Sequence, residues 1–109
     1  MAERGSLEFT DYNGEIIVLT DSYYNHIIER HGSEMTQFSK NWEETLKSPD
    51  FTGESKTKAG CKIYIQQNNK NRNFPAKYLV IVVNEINFIT SVRFGSNLNF
   101  IKNLKKSEL

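Results

Sequence analysis

A first half with helical periodicity and a second half with strand periodicity predict an α+β domain, its N-terminal helices packed on one face of an antiparallel sheet of about four strands. Three observations carry this. Apolar residues such as Phe38, Trp42 and Leu46 recur every four positions; Cys61, Ile63 and Ile65 alternate with Lys62, Tyr64 and Gln66; and two β-prone runs, Lys77 to Val83 and Ile86 to Phe94, meet at Asn84-Glu85. At 109 residues, 1–109 is expected to be a single domain, able to bury about two-thirds of its unfolded surface and to fold without a metal or a disulfide.

The elements follow in order. Glu15 to Thr20 reads as a short strand, with Asn13-Gly14 supplying a turn toward Phe9. Thr20 or Asp21 offers a side-chain oxygen to the free amides of a helix start, and Gly32 offers a left-handed stop, giving a helix over 22–31. A second helix is predicted from Met35 or Thr36 to Lys47, ended by Ser48-Pro49-Asp50. The tract Gln67 to Asn73 reads as a loop. In the last strong strand, Ile86, Phe88, Thr90, Val92 and Phe94 are predicted on one face and Asn87, Ile89, Ser91 and Arg93 on the other. The tail from Asn97 to Lys106 reads as a short basic helix or strand, and the sheet face opposite the helices is predicted to be open.

Charge is split along the chain. Residues 1–54 carry 11 acids and 4 bases, and residues 55–109 carry 10 bases and 2 acids, so that −7 and +8 sum to the net +1. No acid interrupts Ser55 to Asn84, which holds Lys56, Lys58, Lys62, Lys70, Arg72 and Lys77. A sheet built from that half attracts a polyanion, which makes nucleic acid a candidate partner. Lys56, Lys58, Lys62 and Lys77 are the candidate backbone contacts, with Tyr64 and Phe74 interleaved as candidate stacking rings. The lone Cys61 suits a reducing compartment, residues 1–20 lack a signal-peptide pattern, and the longest apolar run, Tyr78 to Val83, is too short to span a bilayer. A cytoplasmic location is expected, or delivery into a target cell's cytoplasm as a toxin domain, with no membrane partner.

The first helix contains both histidines. Tyr24, Ile27, Ile28 and His31 form its apolar stripe, whereas His26 and Arg30, four apart, lie together at the border. Imidazole titrates near neutral pH and guanidinium offers a fixed fork of donors, so His26 suits proton transfer and Arg30 suits a phosphate. The bland reading makes His31 a cation capping the last turn and Arg30 a partner of a surface carboxylate. His26 and His31 sit about 140° apart on the helix and Cys61 falls at a core position, so no zinc site and no other cofactor is expected. On the last strand, Ser91 and Arg93 share a face, with Thr90 beside them; a hydroxyl and a guanidinium there would hold one phosphate. No Gly-x-Ser-x-Gly elbow surrounds Ser91, which argues against a hydrolase nucleophile.

A helix reading His-Ile-Ile-Glu-Arg-His-Gly, a helix ending in Leu-Lys-Ser-Pro-Asp-Phe, and strands ending in Phe-Ile-Thr-Ser-Val-Arg follow one another here. This order resembles the barnase–EndoU–colicin–RelE (BECR) nuclease superfamily, and in particular its phage-associated branch. The resemblance covers about residues 15–94 and rests on His26, Ile27, Arg30 and His31, on Pro49-Asp50, and on Thr90 with Ser91. It implies a small α+β RNase that needs no metal. The sequence departs from barnase in having no obvious glutamate base on a central strand.

The expected chemistry is endoribonucleolytic cleavage of RNA, transfer RNA being one candidate, by attack of a 2′-hydroxyl on the adjacent phosphate. His26, with His31, moves the protons; Arg30 and Arg93 stabilise the added negative charge; Thr90 or Ser91 donates a hydrogen bond to it. A toxin of this kind would have an inhibitor or immunity protein as a further partner. A non-catalytic reading makes the chain an immunity or antitoxin-type interaction domain that uses its acidic half against a basic toxin, or an RNA-binding module with a decayed nuclease fold.

Overall fold

A computed structural model describes residues 6–69 and 73–106. Lys70 and Arg72 of the basic run, and part of the predicted Gln67–Asn73 loop, lie outside these residues. The first described element is a hairpin, β1 (Leu7–Thr10) against β2 (Ile16–Leu19). Asp11 organises its turn, accepting through Oδ1 from the amides of Asn13 and Glu15 at 2.9 Å each, while Gly14 takes φ 81°. Helix α1 (Asp21–His31) follows at once. Thr20 Oγ1 accepts from the Tyr23 amide at 3.2 Å, and Gly32, at φ 91°, closes the far end by donating its N–H to Ile28 O.

The second predicted helix is divided. Ser33–Phe38 is a 3-10 segment, and α2 covers only Ser39–Lys47. Phe38 gives α2 no side-chain cap, and its ring instead packs edge-on against Phe74 and Phe94 at 6.2 and 5.3 Å, so the predicted apolar stripe faces the core although the helix starts later than predicted. Trp42 and Leu46 on that stripe are fully buried.

Five antiparallel strands form the main sheet: β3 (Phe51–Glu54), β4 (Lys62–Gln67), β5 (Tyr78–Val83), β6 (Ile89–Gly95) and β7 (Lys105–Lys106), in spatial order β6-β5-β4-β3-β7. The architecture is therefore α+β with helices on one sheet face, as the sequence predicts, but with one more strand than about four and with a separate hairpin. A parallel bridge between Val18 and Phe88 ties that hairpin to the sheet. No helix among the described residues is long and apolar enough to cross a membrane.

Both sheet faces are covered. Tyr64, Leu79, Ile81 and Val92 pack beneath α1 and α2. On the other face Ile63, Ile65, Tyr78 and Val80 pack against Leu98, Phe100 and Ile101 of the C-terminal segment, which corrects the expectation of an open face. Strand β5 is apolar at every position, the pattern of a strand buried on two sides. Tyr64, predicted to stack on bases, is 2% exposed and donates its hydroxyl to Asp11 Oδ2 at 2.7 Å. Burial and the Asp11 carboxylate push its pKa well above the ordinary 10.0.

Removing the Tyr64 hydroxyl strands a buried carboxylate oxygen. Tyr64→Phe is expected to destabilise the fold by about 1.5–3 kcal/mol in urea unfolding at neutral pH. Because the folded pKa is raised, the stabilisation is present below pH 10.0 and is lost progressively above it, where only the unfolded tyrosine ionises. The variant should show a shallower stability loss on that alkaline side.

Candidate active site

The functional geometry depends on an irregularity in β6. Its register with β5 runs Val80↔Arg93, Ile81↔Val92, Val82↔Ser91 and then Val83↔Ile89, so Thr90 is an extra residue at a β-bulge. The bulge reverses the predicted alternation. Ile89 is fully buried with Val92 under the helices, instead of sharing a face with Ser91 and Arg93. Thr90 is turned toward the same cavity as Ser91 and Arg93, with its Oγ1 3.4 Å from Val82 O. The loop before the strand is also longer than the predicted two-residue turn. Asn84 Oδ1 accepts from the amides of Ile86 and Phe88, and Asn87 adopts φ 64°.

β6 is an edge strand, and α1 packs against it. Between them lies a cavity of about 310 Å³. α1 contributes His26, Ile27, Arg30 and His31, and β6 contributes Thr90, Ser91 and Arg93. Ile63 and Val82 supply an apolar wall, while Ser55, Thr57 and Lys58 from the β3–β4 loop and Phe100 from the C-terminal segment complete the lining. All six residues singled out from sequence for chemistry thus surround one space. His31, assigned to the apolar stripe, is half-buried and lines the cavity together with exposed His26, despite their separation around the helix.

Electrostatically the cavity is one-sided. Among the described residues, three permanent cations, Arg30, Lys58 and Arg93, line it together with two imidazoles and without a carboxylate. Such a lining attracts an anion and repels a divalent cation. Burial pushes the His31 pKa below the ordinary 6.5, and the neighbouring charges of Arg30, Arg93 and His26 push it the same way. These influences favour the neutral ring, the form able to accept a proton, although a helix C-terminus by itself favours the imidazolium.

The other candidate contacts are dispersed. Lys58 lines the cavity, and Lys56 is exposed two residues before it. Lys62 is turned to the other face and pairs with Glu15 at 3.1 Å. Lys77 is exposed beside Asn68, whose amide donates to its carbonyl, at the opposite end of the β4–β5 hairpin; five strand residues from Ile63 to Asn68 correspond to roughly 17 Å. Phe74, 4% exposed, is stacked on Phe94 and is unavailable to a base.

Sequence reasoning missed Ser55, Thr57 and Phe100. Ser55 Oγ accepts from the amides of Thr57 and Lys58 at 3.2 and 3.1 Å, the local serine turn that a Ser-x-Thr-Lys stretch between two strands signals. Phe100 had no such signal. No protein-family model matches this chain, and neither a curated protein nor a solved structure matches it significantly.

Proposed function

We propose that this domain is a metal-independent endoribonuclease of the BECR kind, cleaving RNA by transfer of a phosphate to the neighbouring 2′-oxygen. The observation that carries the reading is the cationic cavity in which two imidazoles from α1 lie with Arg93, Thr90 and Ser91 from β6, with no carboxylate among its described lining residues. The order of elements supports the BECR assignment: a capped helix with the histidines, then α2 and Pro49-Asp50, then the strand with Thr90 and Ser91.

The substrate phosphodiester enters with one negative charge. His31, whose neutral form the burial and neighbouring cations favour, takes the proton of the 2′-hydroxyl as its oxygen attacks phosphorus. The bond from phosphorus to the 5′-oxygen breaks, and His26 donates a proton to that departing oxygen. The products are a 2′,3′-cyclic phosphate and a free 5′-hydroxyl. In between, the phosphorane carries a second negative charge, which Arg30, Arg93 and Lys58 oppose while a Thr90 or Ser91 hydroxyl donates to a phosphoryl oxygen. The nucleophile belongs to the substrate, so DNA lacks the means to react.

The test is incubation of end-labelled RNA with the protein. Products ending in a cyclic phosphate, formed equally with and without EDTA, are expected, and the all-deoxy strand of the same sequence should remain intact. Binding without cleavage would instead identify an RNA-binding module, and cleavage abolished by EDTA would require a metal.

The pH profile provides a second expectation. A base with a lowered pKa stays active into mild acid, so kcat/KM should fall only below pH 6.5, the ordinary imidazole value. A bound phosphate favours imidazolium, so the acid limb of kcat should lie at higher pH than that of kcat/KM. Coincident limbs would contradict His31 as the base.

A further inference from the structure

We propose that Phe100 is a positioning residue for Arg93, its ring holding the guanidinium in the cavity without consuming the donors that a phosphate needs. The proposal rests on reading the cavity as a phosphate site. Arg93 Cζ lies 4.6 Å from the Phe100 ring centroid, within cation–π range, and both side chains line the cavity. Among the described residues, no carboxylate pairs with Arg93.

The choice of a ring over an acid has a chemical consequence. A carboxylate would fix the guanidinium by taking two of its N–H groups and cancelling its charge. An aromatic face attracts the cation while leaving its in-plane donors and its charge available to an incoming anion. On an edge strand, a long unpaired arginine otherwise samples many rotamers, and ordering it would fall to the substrate.

Backbone hydrogen bonds help to bring Phe100 to this place, beside the packing of its ring on the sheet. Phe100 O accepts from the Lys56 amide at 3.1 Å, the Lys102 amide donates to Glu54 O at 2.7 Å, and Ile101 forms an antiparallel bridge with Ser55. Ile101 is buried. The segment crosses so closely over Gly53 that a Cβ there would lie 2.9 Å from Asn103 O. These anchors also join the Ser55–Lys58 loop to the chain that carries Phe100, so one docked segment places parts of two cavity walls.

His31 provides a reporter. It faces His26 and Arg30 from its own helix and Arg93 from β6, whose charge helps to hold its pKa down, with Lys58 lining the same cavity from the β3–β4 loop. If Phe100 releases Arg93, that contribution fades.

The experiment is an NMR titration of the His31 ring, and of inorganic phosphate binding, in the whole chain and in Phe100→Leu, Phe100→Tyr, Arg93→Gln and the Phe100→Leu/Arg93→Gln double variant. Phe100→Leu is expected to weaken phosphate binding about three- to tenfold and to move the His31 pKa upward toward 6.5. Phe100→Tyr, which keeps the ring, should restore both. In the Arg93→Gln background, Phe100→Leu should change neither. That background decides the matter even if the C-terminal segment loosens, because a packing loss adds to Arg93→Gln whereas a loss acting through Arg93 does not. Additive losses, or a His31 titration unmoved by Phe100→Leu, would overturn the proposal. A His31 titration that responds to Phe100 in a protein that cleaves no RNA would refute the nuclease reading and leave the positioning role standing.

Discussion

His31→Ala is expected to lower kcat for RNA cleavage by about a hundredfold to ten-thousandfold, the usual cost of losing a positioned proton-transfer group. Binding should persist, since Arg30, Lys58 and Arg93 remain around the cavity. His26→Ala should cost a similar amount for a different reason. In the proposed mechanism its proton goes to the departing 5′-oxygen, so a nucleoside 3′-phosphate ester with an acidic phenol leaving group needs no such help. On that ester His26→Ala should approach the parental rate and His31→Ala should stay slow. Equal rescue of both variants would contradict the assignment of base and acid.

Arg93→Gln is the second large effect, expected to lower kcat/KM about a hundredfold to a thousandfold, the range seen when one preorganised donor to a developing charge is removed. Unlike the histidine variants it should also weaken binding, because in the proposed mechanism the arginine meets the phosphate in the ground state as well as in the phosphorane. Arg93→Lys should not restore activity fully, since a single ammonium lacks the planar fork and rests less well on the Phe100 ring. Steady-state kinetics on one RNA, with kcat and KM resolved, check both statements. The variant should fold normally, because Arg93 lies on the half-buried margin of β6 and not in either core.

The legible part of this molecule is the part governed by local chemistry. Thr20 and Gly32 mark the ends of α1 by capping geometry, so His26, Arg30 and His31 could be assigned to one helix from sequence. What a helical wheel lacks is the neighbour. His31 was placed on an apolar stripe, yet an edge strand beside α1 offers a cavity in which stripe and border both take part. Residue alternation in β6 failed at Thr90 because a bulge costs nothing visible in composition, and it is this bulge that sends Ile89 inward and Thr90 outward.

Tyr64 and Gln66 looked solvated because they alternate with Ile63 and Ile65, but α2 lies over them, and Gln66 is buried with its amide donating to Glu44 and accepting from Asn41. The unbroken apolar run Tyr78 to Val83 did hold the information that a second layer covers the sheet. The C-terminal segment that provides it contributes Leu98, Phe100 and Ile101 as apolar anchors among the described residues, too few for any periodicity. Its place is set by long-range packing over Gly53 and by backbone pairing with β3.

The central claim is that α1 and β6 grip one phosphate between them. The most direct test is an NMR titration with a dinucleotide whose 2′-hydroxyl is replaced by hydrogen, which can bind but cannot react. The rings of His26 and His31 and the guanidinium of Arg93 should all respond with a single dissociation constant, and the His31 pKa should rise on binding. Perturbation confined to the helix or to the strand, or dissociation constants that differ between the two, would contradict it.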